Sequence, residues 1–80
     1  MNASLFARVQ QVIADLFGVA ASDVLPSSSQ DTIEKWDSLQ HLNLVLALED
    51  EFAVQFTPEE MAELLSAELI VMLLEEKGAA

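Results

Sequence analysis

An all-α fold, a small bundle of four helices, is the class this sequence predicts, and three observations predict it. Apolar residues recur at spacings of three and four along several stretches, the period of helices that bury one stripe. Only two glycines and two prolines occur and tyrosine is absent, which argues against a turn-rich β architecture. The apolar fraction of 52% is generous for eighty residues and must supply the core alone, because the chain has no cysteine for disulfides or a thiolate metal site. One domain over residues 1–80 is expected, with three longer helices, a short third one, and a long loop between the first two.

The first helix is marked by Leu5, Phe6, Val9, Val12, Ile13, Leu16 and Phe17 on one stripe. Asn2 or Ser4 can cap its start, and Gly18 stands where a left-handed C-terminal residue is wanted. From Val19 to Asp37 the periodicity fails. "VAASDVLPSSSQDT" carries Pro26 and the serines Ser27 to Ser29, so a long loop with about one helical turn is expected. Val19, Val24, Leu25, Ile33 and Trp36 give that loop apolar anchors, unlike a disordered linker. The second helix begins near Ser38 and ends around Phe52. In "FTPEEMAEL", Thr57 as cap, Pro58 at the first helical position and Glu60 three residues after the cap make a capping box for a short third helix. A fourth runs from about Ala67 to Lys77, capped by Ser66 and closed by Gly78.

Charge narrows the function. Three Lys and Arg stand against fourteen Asp and Glu, a formal net charge of −11. Nucleic-acid binding needs the opposite sign, since phosphate contacts come from Lys and Arg. Acidity either confers solubility alone or steers basic protein partners toward the chain. The longest apolar runs, "LVLAL" (Leu44 to Leu48) and "LIVMLL" (Leu69 to Leu74), fall well short of the ~20 residues that span a bilayer. "MNASLFARVQ" lacks the basic start and apolar core of a secretory signal, and with no cysteine a cytoplasmic protein is expected.

The second helix is too apolar for a single buried face. On a wheel of about 100° per residue, Leu44, Val45, Leu48 and Phe52 form one sector with His41 beside it. Leu39, Leu42 and Leu46 form another; Glu49 falls between the two, and Gln40, Asn43, Asp50 and Glu51 fill the remaining arc. One sector covers the core. The other, rimmed by acids, has the character of a partner-binding ridge, unless the short third helix packs over it.

At the head of this helix stands Ser38, with Asp37 able to cap it. On position alone Ser38 could itself be only a cap. Asp37, Ser38 and His41 hold the residue types of a hydrolase triad, but adjacent Asp and Ser point apart and no glycine-rich turn offers an oxyanion hole. So small a bundle also has no room for a substrate pocket of ~300 Å³. The acid clusters Glu49 to Glu51 and Glu59 to Glu60 lack the spacing of a calcium loop, so no metal site is expected.

A serine in "DSL" at the start of the second helix of an acidic four-helix chain, after a long loop, resembles the acyl carrier protein family. The likeness spans nearly the whole chain: "LFGVAASDV" is similar to the end of the family's first helix, "DSLQHLNLVLALEDEF" to its second helix, and "FTPEEMAEL" to its third. "DSL" alone is a weak motif; combined with this length, spacing and acidity it is strong. The resemblance implies that Ser38 is the attachment point of a 4′-phosphopantetheine arm, added by a separate phosphopantetheinyl transferase, whose thiol carries acyl groups as thioesters. It implies a non-catalytic carrier, a monomer, serving acyl-loading, condensing or acyltransferase enzymes with basic docking patches. Asp37 and Leu39 match the flanking residues that such a transferase recognises. Leu42, Leu46, Glu49, Asp50 and Glu51 match the partner-facing helix, and Trp36 is expected to distinguish the partners. Two alternatives are an aminoacyl, peptidyl or D-alanyl-type carrier on the same serine, and an unmodified acidic helical adaptor. Lys35 stands where the family usually has glycine, Trp36 follows it, and Gln40 and Asn43 occupy often acidic places. These departures point to a specialised carrier rather than one of general fatty-acid synthesis.

Overall fold

The computed structural model describes residues 2–79. Four α-helices make up its regular structure among those residues: α1 (Ala3–Phe17), α2 (Ser38–Phe52), α3 (Pro58–Glu63) and α4 (Ala67–Glu76). A single 3-10 turn, Ala21–Asp23, interrupts the long loop. The all-α bundle expected from periodicity is the fold found.

Each start has a side-chain cap, because the first N–H groups of a helix have no partner within it. Asn2, rather than Ser4, accepts from the Leu5 N–H; Asp37, Thr57 and Ser66 accept from those of Gln40, Glu60 and Leu69. The Thr57–Glu60 capping box is complete in both directions. Gly18 ends α1 at φ 69°, the left-handed conformation that glycine adopts without steric cost. At the end of α2 the same conformation falls to Ala53, at φ 53°.

α1 packs against both α2 and α4. Leu5, Val9, Ile13 and Phe17 from α1, Leu44, Val45, Leu48 and Phe52 from α2, and Ile70, Val71 and Leu74 from α4 share one core. Val24, Ile33 and Trp36 join it from the loop, so that segment is anchored rather than free. Its backbone is held too: the Gln10 side-chain amide donates to Ala21 O and Val24 O at 3.1 and 2.8 Å. Pro26 O and Ser28 O accept from Glu68 N and Ala67 N at 2.9 and 3.0 Å, which satisfies donors at the open end of α4. Buried Ser28 turns its hydroxyl back to accept from Leu25 N at 2.8 Å. A loop this long keeps one shape because its apolar side chains and its carbonyls both have partners.

Candidate functional site

The site is the first two turns of α2 and the loop that leads into them. Asp37 is extended, at φ −99° and ψ −176°, and its Oδ1 accepts from Gln40 N at 2.8 Å. That cap starts the helix at the next residue, so Ser38 is the first helical position and is exposed. The N–H groups of Ser38 and Leu39 lie in the turn that has no intrahelical acceptors. Together with the positive end of the helix dipole they favour a negative group on the Ser38 oxygen, so an exposed hydroxyl here suits a phosphodiester link.

Beside Ser38 the second apolar sector lies open. Leu39, Leu42 and Leu46 are 72%, 54% and 63% exposed, so α3 does not cover them. Asp50, also exposed, stands one turn beyond Leu46 on the same line. The result is an apolar ridge that leads away from the serine and ends in a carboxylate.

Of the residues expected on this surface, two are placed otherwise and a third is exposed but paired. Trp36 is only 1% exposed. Its ring stacks on Phe17 (centroids 5.6 Å apart) and meets the His41 ring edge to edge and nearly coplanar (centroids 6.2 Å, 14° between planes), so it anchors the loop to the bundle and offers no face to a partner. Its expected role as a direct partner contact is corrected on that burial. Glu49 is half-buried, and its Oε2 accepts from Phe56 N at 2.8 Å, tying the end of α2 to the strand of chain before α3. That carboxylate serves the fold rather than the ridge. Glu51 is exposed but pairs with Arg8 of α1 at 3.3 Å, and the guanidinium lies 4.4 Å from the centre of the Phe52 ring.

His41 is half-buried, as its position beside the core sector implies. The Trp36 indole N–H donates to its Nδ1 at 3.0 Å, and its Nε2 lies 3.0 Å from Met61 O. An indole N–H only donates and a carbonyl only accepts, so these contacts assign Nδ1 as the acceptor and Nε2–H as the donor. Both nitrogens are committed, which leaves none to activate Ser38; a hydrolase triad is not formed. This Trp36–His41–Met61 chain of contacts is the feature sequence reading missed. Its signal was the five-residue separation of an indole and an imidazole across the helix start. Among the described residues no group of three or more His, Asp or Glu is placed to hold a metal ion. Nor, among the described residues, is any helix long and apolar enough to cross a membrane.

Comparison with known proteins bears on this site. Residues 7–74 match the family model described as "Phosphopantetheine attachment site". The chain is similar to the acyl carrier protein of Picosynechococcus sp., 32% identical over 99% of both chains. It is as similar, 32% over the whole of both chains, to the acyl carrier protein of Thermosynechococcus vestitus. An acyl carrier protein of Petrotoga mobilis is 36% identical over 91% of this chain and 86% of its own.

Proposed function

The chain belongs to the acyl carrier protein family, and from that premise we propose that Ser38 is its attachment point and the Leu39–Leu46 ridge its docking surface. The protein is a non-catalytic carrier bearing covalent 4′-phosphopantetheine. When bound, that group supplies a terminal thiol on which acyl units travel as thioesters. The observation that carries the assignment to Ser38 is its exposure at the first position of α2.

In the attachment reaction the Ser38 oxygen attacks the β-phosphorus of coenzyme A. The bond between that phosphorus and the bridging oxygen breaks, adenosine 3′,5′-bisphosphate leaves, and the hydroxyl proton passes to a base on the transferase. Asp37 contributes by fixing where the helix begins, and Leu39 by offering the transferase an apolar contact next to the serine. Acyl-handling enzymes then meet Leu42 and Leu46, with Asp50 drawing basic docking patches toward them. A narrow ridge gives a small interface, and small interfaces release quickly, which suits a shuttle. A net charge of −11 opposes self-association, which supports a monomer as the working form. Lys35, Gln40 and Asn43 near the docking face fit an enzyme set distinct from general fatty-acid synthesis.

The test is an intact mass. Apo protein incubated with coenzyme A and a promiscuous transferase gains one phosphopantetheine, and Ser38→Ala gains none. No gain in the natural chain, or an equal gain in the variant, refutes the assignment. Partner binding that needs no modification and survives Ser38→Ala would instead mark an unmodified adaptor.

A further inference from the structure

Directly below the attachment turn the bundle is shut by an aromatic and hydrogen-bonded seal. Trp36, two residues before Ser38, is fully enclosed between Phe17 of α1 and His41 of α2. His41, three residues after Ser38, receives the indole N–H on one nitrogen and reaches Met61 O of α3 with the other. One side chain thus ties the loop, α2 and α3 together at the end of the molecule from which the arm hangs. Among the described residues every buried side-chain nitrogen and oxygen has a partner, so the seal leaves no polar group waiting for a ligand.

An alkyl chain hanging from Ser38 could leave water by entering the seam between α2 and α3. To do so here it must part His41 from Met61 and push the indole from its stack. That breaks both hydrogen bonds of the imidazole and leaves the N–H of the enclosed indole without its acceptor. A short or polar unit has little apolar surface to hide and needs no such entry. We infer that the Trp36–His41–Met61 seal closes the interior to the cargo, so that the acyl group rides outside the bundle, an arrangement that selects short or polar acyl units over long alkyl chains. The inference rests on Ser38 being the attachment point.

The experiment loads the full chain by the transferase from acetyl-, 3-hydroxybutyryl- and decanoyl-coenzyme A, each product confirmed by mass. Trp36 is the only tryptophan, so its indole N–H gives one nitrogen-15-edited resonance. In all three loaded forms that resonance stays within a line width of the unloaded holo protein, and Tm is unchanged. In Trp36→Leu, which removes the seal but keeps an apolar filling, decanoyl loading raises Tm by several degrees over that variant's own holo form, because cargo held inside stabilises only the folded state. Should that variant not fold, His41→Leu is read the same way. A shifted indole resonance and a raised Tm in the decanoyl-loaded natural chain overturn the inference, as does a decanoyl effect absent from both the natural chain and the folded variant. Failure of any coenzyme A to add mass to the natural chain refutes the attachment reading instead, so the two failures are told apart.

Discussion

Ala53 closes α2 in the left-handed region, at φ 53°, where a β-carbon crowds the following carbonyl. Its N–H and that of Val54 both donate to Glu49 O, so the conformation is imposed by the helix end rather than chosen by the residue. Ala53→Gly should therefore stabilise the protein by about 0.5–1 kcal/mol, after the extra freedom glycine gains in the unfolded chain is subtracted. A urea midpoint no higher than that of the natural chain contradicts it. Glu60 makes a second prediction. Its carboxylate accepts from Lys77 Nζ at 2.8 Å and from Thr57 N at 2.9 Å. The Lys77 contact first, and the backbone N–H second, hold its carboxyl below the ordinary glutamate value. A carboxyl whose value is lower folded than unfolded adds stability above its unfolded value and loses it as pH falls through the folded one. The natural chain should thus exceed Glu60→Gln in stability at neutral pH, with the gap closing on acidification below the ordinary glutamate range. Urea melts at stepped pH check the sign; a gap that widens toward acid contradicts it.

At the scale of elements, the long loop is held through one side chain of α1. The Gln10 amide donates to two loop carbonyls on either end of the 3-10 turn, and Gln10→Ala leaves both without that partner. The expected loss is about 1–3 kcal/mol, with faster amide exchange at Val24, whose own N–H closes the 3-10 turn. Exchange unchanged there would mean that Val24, Ile33 and Trp36 hold the loop alone. The helices themselves were legible in the sequence because their signals are local: Asp37, Thr57 with Glu60, and Ser66 cap from a few residues away, and Gly18 closes α1 by its own backbone. The open Leu39–Leu42–Leu46 sector was legible too, since a 3.6-residue period fixes which residues share a face. The inward turn of Glu49 was not, nor was the full enclosure of Trp36, which the sequence marks only as an anchor of the loop. Where an indole points depends on how the loop crosses the bundle, and Phe17, which stacks on it, lies nineteen positions earlier. Likewise the Glu49 carboxylate turns inward only because the chain reverses after Ala53 and brings Phe56 N back to it. Spacing along one helix records neither event.

Over the whole molecule the net charge of −11 acts at long range, while the ridge acts on contact. The two are separable because salt screens only the first, with a Debye length of about 10 Å at 0.1 M and about 3 Å at 1 M. Asp50 is the acid of α2 to use: Glu49 is tied to Phe56 N and Glu51 to Arg8, so altering either disturbs the fold as well as the field. Asp50 is exposed and continues the line of Leu46. Asp50→Lys should slow phosphopantetheinylation several-fold at low ionic strength, mainly through a higher KM, and much less at ~1 M salt, where the field reaches only neighbouring atoms. Leu46→Ala removes apolar contact instead, so its loss should persist at both salt concentrations. If the two variants respond to salt alike, steering and contact are not divided between charge and ridge. If neither changes the rate, the transferase docks elsewhere, and the open face of α2 must be assigned to the acyl-handling enzymes alone.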